Sequence, residues 1–248
     1  MNRLRFFSLI FLFAAAVVNA QSFKSAQMKA PRVKAAYDEK WDALKAEITA
    51  KGFDPNGFEI LFFAFKSEKK VEVWMRSKKE KEFKLFKTYD ICYYSGGLGP
   101  KRHQGDGQVP EGYYDFAVFN PYSSYHLSLG VSYPNKSDKI VAKSNFGGDI
   151  MMHGNCVSIG CMPITDAYIK EVYILAVEAR NSGQQVLPIS IFPTKPDEKG
   201  MKYLNELYKD NPALLEFWKN LKTGYDYFEK NKVLPKVSVD KDGKYLYN

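Results

Sequence analysis

Cysteine and histidine are scarce in this chain of 248 residues, at three each. The cysteines, Cys92, Cys156 and Cys161, cannot all pair with one another, so an oxidising compartment would leave at least one thiol over. Long apolar runs are nearly absent too. Only Phe6 to Val18 is almost unbroken, and nothing after it is apolar over a length that could cross a bilayer. Internal repeats and low-complexity linkers are missing, which points to one main domain. No nucleic-acid-binding module can be found, and Lys-rich stretches such as Lys66 to Lys70 and Lys78 to Lys84 read most simply as solvated strand edges and loops. Charge gives no partner by itself.

The one apolar run has a short basic start, Arg3 and Arg5, and ends in Val18-Asn19-Ala20, with small residues at the −3 and −1 positions of a cleavage site before Gln21. Residues 1–20 therefore read as a secretory signal peptide rather than a membrane span. No cysteine follows the run, which argues against a lipid anchor. Cleavage would remove two arginines and no acids, lowering the formal net charge from +8 to +6. A basic exported protein suits acidic surface polymers, though charge does not name them.

The sequence is rich in aromatic residues: 17 Tyr and 18 Phe, 15% of the chain with Trp included. That suits a β-heavy fold and equally a groove for an extended polymer. Periodicity predicts a helix over 33–50, where Val33, Tyr37, Trp41, Leu44 and Ile48 recur at three and four, with Gly52 as its stop. Strands are predicted at Phe58 to Phe65, Lys70 to Met75, Glu82 to Tyr94, Tyr113 to Phe119, Tyr125 to Tyr133 and Gln185 to Phe192. In the second, Val71, Val73 and Met75 alternate with Glu72 and Trp74, implying one buried face. Six glycines and two prolines crowd into 95–112, a long irregular loop of the kind that usually carries function. A short helix over 137–145 would be capped by Ser137, and a helix through about Asn181 by Thr165. Asp149 to Met152 reads as a buried strand leading into His153. The tail over 197–232 has helical texture, and Asp242-Gly243 suggests a closing turn. The expected division is 1–20 signal peptide, 21–52 helical segment, 53–195 catalytic domain and 196–248 a helical extension packed on it.

Chemistry concentrates in Met152-His153-Gly154-Asn155-Cys156-Val157-Ser158-Ile159-Gly160-Cys161-Met162-Pro163. A thiol nucleophile needs a base within hydrogen-bond reach, backbone donors for the oxyanion and a means of lowering its pKa. His153 ends a buried strand, and Cys161 lies close to a helix N-terminus whose dipole favours thiolate. Gly160 carries no side chain to obstruct the neighbouring N–H groups, and Ser158 supports the same loop. These residues describe a cysteine acyl-transfer enzyme with Cys161 as nucleophile and His153 as base.

The same segment resembles the active-site signature of L,D-transpeptidase catalytic domains (YkuD-like), and its form His-Gly-x-Cys-x-Ser-x-Gly-Cys resembles the YafK-like branch. Ser95-Gly96-Gly97-Leu98-Gly99-Pro100-Lys101, Gly105 through Tyr114 and Tyr125 through Asn135 agree with that branch, so the similarity spans about residues 55–192. It implies a β-rich α+β fold, a mixed sheet or sandwich with flanking helices, and a thioester formed with peptide stems of peptidoglycan. It also implies that the Gly154 carbonyl orients His153, and that the acyl group passes to an amine, including that of a wall-attached protein, or to water. Most YkuD-like enzymes carry a second histidine before the Gly-Cys pair; Ile159 stands there, as in the branch. The implied location is the periplasm or cell envelope, with no cofactor and no metal.

Other readings stay open at this point. Cleavage of L,D or protein-to-stem linkages is one, a thiol protease of unrelated fold another, and a non-catalytic wall-binding protein a third. Cys156 could pair with Cys92, or with Cys161, which would silence the nucleophile, and His153, Cys156 and Cys161 make an incomplete zinc set. For substrate binding the candidates are His126, Tyr113 and Arg102, each with a bland counterpart: a core histidine, a core aromatic alongside Tyr114, and an exposed loop arginine beside His103.

Overall fold

A computed structural model describes residues 22–248; the expected signal peptide lies outside them. The described residues begin with α1 (Phe23–Gln27) and α2 (Pro31–Ala50), the latter started by Pro31 and burying Val33, Tyr37, Leu44 and Ile48 along one stripe. Three strands follow, β1 (Phe58–Phe65), β2 (Lys70–Ser77) and β3 (Lys84–Asp90), then β4 (Gly112–Asn120) and β5 (Ser128–Val131). Next come α3 (Lys136–Ala142), β6 (Met151–His153), β7 (Met162–Pro163), α4 (Thr165–Asn181) and β8 (Pro188–Phe192). The chain ends in α5 (Glu198–Leu207), α6 (Pro212–Asn231) and a small hairpin of β9 (Val237–Val239) and β10 (Tyr245–Tyr247).

Eight strands form one mixed sheet in the order β3-β2-β1-β8-β4-β5-β6-β7. Side chains alternate across it and feed two cores. From β1, Phe58, Ile60, Phe62 and Ala64 join α2 and α4 on one face, while Leu61, Phe63 and Phe65 join α5, α6 and β10 on the other. The fold is thus α+β, with helices on both faces of a mixed sheet. β2 does not have the single buried face that its alternation suggested. Trp74 and Glu72 are buried as well, the indole donating to the Glu72 carboxylate at 2.8 Å, because α6 covers them.

Other local expectations shift. The strand expected over 125–133 starts only at Ser128, and His126 takes a positive φ of 70° in the turn before it. α3 is capped by Asn135 in a reciprocal box with Asp138, while the Ser137 hydroxyl donates to Gly243 O at 2.5 Å. Thr165 is the first residue of α4 rather than its cap, with φ +67°, a conformation a β-branched residue seldom adopts. The last two strands, β6 and β7, form one edge of the sheet and hold the residues singled out for chemistry. Among the described residues no helix is long and apolar enough to cross a membrane.

Candidate active site

His153 ends β6, and Cys161 immediately precedes β7. The two strands pair in parallel, Met152 with Met162 and His153 with Pro163. Paired residues project to the same face, as do residues two apart along a strand. Buried Met152 and Met162 share the core face, so His153 and Pro163 share the other, and Cys161 stands one residue before β7 at the same edge. Strand spacing of about 4.8 Å and a rise of about 3.3 Å per residue correspond to a Cα separation of about 8 Å for extended chain at these two positions, the scale on which a thiol and an imidazole can meet.

His153 is held on three sides. Its Nδ1–H donates to Gly154 O at 2.5 Å, the Tyr125 ring stacks on it at 4.7 Å, and the His153 carbonyl accepts from Ile164 N at 2.9 Å. With the proton on Nδ1, the lone pair is left on Nε2. Gly154 has room for no side chain, because a Cβ would stand 2.8 Å from Tyr125 O and also meet Asp166 Oδ1. That carboxylate accepts from Asn155 N at 2.8 Å, fixing the turn after the histidine. The first-turn acid of α4 therefore serves the loop before β7 instead of its own helix.

Cys92 and Cys156 form a disulfide, with Cα atoms 5.7 Å apart, and Cys161 is the free thiol. A Cys156–Cys161 bridge and the partial zinc set are thereby excluded. The Cys161 sulfur lies 3.5 Å from Asp149 O and makes no hydrogen bond to His153. Such contacts are often long before substrate binds and tighten in the complex. Burial pushes the thiol above its ordinary value, opposed by Met151 N–H, reinforced by Asp149 and opposed again by Lys101. This is the reverse of the lowering expected from the helix terminus, and β7 separates Cys161 from α4. Burial likewise pushes His153 down, against the Gly154 carbonyl.

The amides expected to stand open are engaged. Gly160 N and Cys161 N both donate to Ser158 Oγ, at 3.0 and 2.8 Å, and that hydroxyl donates to Cys161 O at 2.8 Å. Ser158 closes the turn in the manner of serine side chains that satisfy nearby backbone groups. An oxyanion there would have to displace it. Ile159, in the place of the second histidine, is 89% exposed and brings no acid or base.

Of the three residues expected to bind substrate, Tyr113 and Arg102 lie away from the thiol and His126 lies beside the histidine loop. Tyr113 packs among Phe192, Tyr245 and Tyr247 in the second core, its hydroxyl donating to Leu221 O at 2.7 Å; it does not line the thiol. Tyr114, on the opposite parity, is buried in the first core. Arg102 donates to Asp138 Oδ1 at 3.0 Å and lies over Phe217, on the wall of a cavity of about 510 Å³ that includes neither His153 nor Cys161. His126 sits next to Gly154 with its Nδ1 buried and unpartnered, and its carbonyl accepts from Arg32. Tyr125 and Asp166 were not singled out as site residues from sequence. An aromatic two residues before Leu127 gives no sign that it stacks on a ring 28 positions away.

No family model matches the chain. The chain is 37% identical over 195 residues to YafK of Escherichia coli (strain K12), whose L,D-transpeptidase name is itself provisional, and equally to that of strain O157:H7. The match covers 77% of this chain and 74% of each relative. Among solved structures it is similar to the helical cell shape determining protein Pgp2 from Campylobacter jejuni, at 16% identity and a TM-score of 0.44, over 75% of this chain and 74% of that one. Bd1075 of Bdellovibrio bacteriovorus is similar at 20% identity and a TM-score of 0.36, over 70% of this chain and 61% of that one.

Proposed function

The chain belongs to the YafK-like L,D-transpeptidases, and from that premise we propose that it is an exported thiol enzyme acting on the peptide stems of peptidoglycan, with Cys161 as nucleophile and His153 as base. The parallel pairing of β6 with β7 is the observation that supports the reading, because it puts the segments bearing the free thiol and the imidazole side by side at one sheet edge. The Cys92–Cys156 disulfide supports export, since structural disulfides belong to oxidising compartments.

The Cys161 sulfur attacks the carbonyl carbon of a stem amide, and its proton passes to His153 Nε2. Collapse of the tetrahedral species breaks the C–N bond; the leaving amine takes the proton from the imidazolium, and a thioester remains. An acceptor amine or water then attacks the thioester, giving its proton to Nε2, and the sulfur leaves to be reprotonated. Burial disfavours the charged form of both groups, which suits a transfer triggered by substrate better than a standing ion pair. Gly154 O holds the imidazole in the tautomer this requires.

Purified sacculi digested in parallel with wild type and Cys161→Ala, with the muropeptides analysed, test this. New cross-linked or newly cleaved stems are expected from the wild type alone, and which of the two appears separates transfer from hydrolysis. Equal products from both proteins would move the chemistry away from Cys161.

A further inference from the structure

The loop between β3 and β4 is rooted in a buried ionic hub that the chemistry above does not use. Lys66 and Glu111 are 2% and 0% exposed and pair at 2.9 Å. All three Lys66 protons have acceptors: Glu111 Oε1, Gly99 O at 2.9 Å and Val109 O at 3.0 Å. Glu111 Oε1 also accepts Gly99 N at 2.8 Å, and Oε2 accepts Trp218 Nε1 at 2.7 Å. Gly99 and Glu111, which bracket the 100–110 stretch of the loop, thus meet at one carboxylate, whose remaining oxygen is held by the indole of α6. Buried charges of this kind persist only when fully partnered, so the indole N–H completes the hub.

From that root the loop reaches the thiol. Asp106 accepts Arg102 N, His103 N and Gln108 N at 2.8, 2.9 and 3.0 Å and pairs with Lys101 at 2.5 Å, knotting 101–108 into one body. Gln104 N donates to Asn145 O at 2.8 Å, on the segment that leads to Asp149. At Gly160 a Cβ would stand 3.1 Å from Gln108 O, so the loop backbone lies directly against the residue preceding Cys161.

We infer that Trp218 is a positioning residue for Cys161, acting through Glu111 and the glycine-rich loop. The C-terminal helices then not only cover the sheet but also set one wall of the site. This rests on the assignment of Cys161 as the nucleophile.

Trp218→Phe withdraws the N–H and keeps a ring against Tyr208, which meets the indole edge-on at 4.9 Å. Iodoacetamide alkylation of Cys161, followed by intact mass over a pH series, reads the sulfur's surroundings without turnover, and the disulfide leaves it the free thiol. Amide exchange over 95–108 reads the loop, and sacculus kinetics give kcat and KM. Phe228→Leu serves as control, since Phe228 lies on the same helix and packs on Phe63 and Trp74, and none of the hub's hydrogen bonds involves it.

Loss of a hydrogen bond to a buried charge should speed exchange over 95–108 by about tenfold or more. The alkylation profile should shift, and kcat should fall with KM little changed, whereas the control loses comparable thermal stability with wild-type exchange and profile. A Trp218→Phe protein with the wild-type profile overturns the inference, whether or not its loop exchange rises. If that variant does not fold, Tyr208→Leu, which unseats the indole but also loses the hydroxyl's contact with the Leu98 backbone, undergoes the same comparison beside Tyr208→Phe, which loses the hydroxyl alone. Wild-type protein inert on sacculi would sink the proposed activity and leave the alkylation test standing.

Discussion

The Cys161 sulfur and the His153 ring both sit where burial favours the uncharged form. For His153 the consequence for stability has a definite sign. Its pKa is lowered on folding from an unfolded value of about 6.5, so below that pH the unfolded chain binds more protons than the native one. The contribution is complete above the unfolded value and is lost as pH falls through the folded one. His126, also pushed down by burial, adds in the same direction. Asp106, held at about 2, is lost only much further down, and its lowering comes from Lys101 and backbone N–H groups overcoming burial. The melting temperature should therefore fall between about pH 7 and 5, and His153→Gln should make that slope shallower while cutting thioester formation by at least about a hundredfold. An unchanged slope in thermal melts would mean that the ring is not a buried neutral imidazole. His153, Gly154, Ser158 and Cys161 could be picked out in sequence because they lie within nine positions of one another. Arg102 could not be read correctly, because its acid, Asp138, is 36 positions away. Tyr113 and Tyr114 differ only in parity on a strand buried on both faces, so alternation gave no means of telling which core each would enter.

At the scale of elements, the disulfide ties the segment after β3 to the loop between β6 and β7, bridging 64 positions of sequence. Cys92 N donates to Pro163 O at 3.0 Å, so the bridge clamps the chain beside β7 as well. Replacing both half-cystines by serine should cost about 2–4 kcal/mol, mostly through the freedom returned to the unfolded chain. Denaturant melts check the cost. Intact mass after alkylation of native and reduced protein should show one reactive thiol becoming three; a count of three before reduction would refute the bridge. The long elements were legible: β1 has the bounds its aromatic run suggested, and α2 follows its stripe. The short ones were not. β6 and β7 hold three and two residues, too few for any period to register, and their parallel pairing follows from the loop that joins them.

At the scale of the molecule, the sheet needs a cover on each face, and the second cover comes last in the chain. Leu61, Phe63, Phe65, Trp74 and Phe192 present one continuous apolar surface to Trp218, Leu221, Tyr225 and Phe228 of α6. On β2 alone, the Glu72 and Trp74 side looked like the solvent side of a half-buried strand, because the helix that buries it begins more than 130 positions further along the chain. We therefore propose that residues 196–248 are an integral layer rather than an appendage. Each of the five sheet residues would forfeit about 1.5–3 kcal/mol on exposure, together an amount comparable to a typical net stability of about 5–15 kcal/mol. A chain ending at Lys195 should consequently fail to give a cooperative thermal transition and should aggregate, as judged by circular dichroism and size-exclusion chromatography. Restoring 196–248 as a separate polypeptide should rescue the transition, because the missing energy is that of a packed interface. A truncated chain that melted cooperatively near the full-length temperature would show that the first core suffices, and Trp218 would then have no layer through which to act.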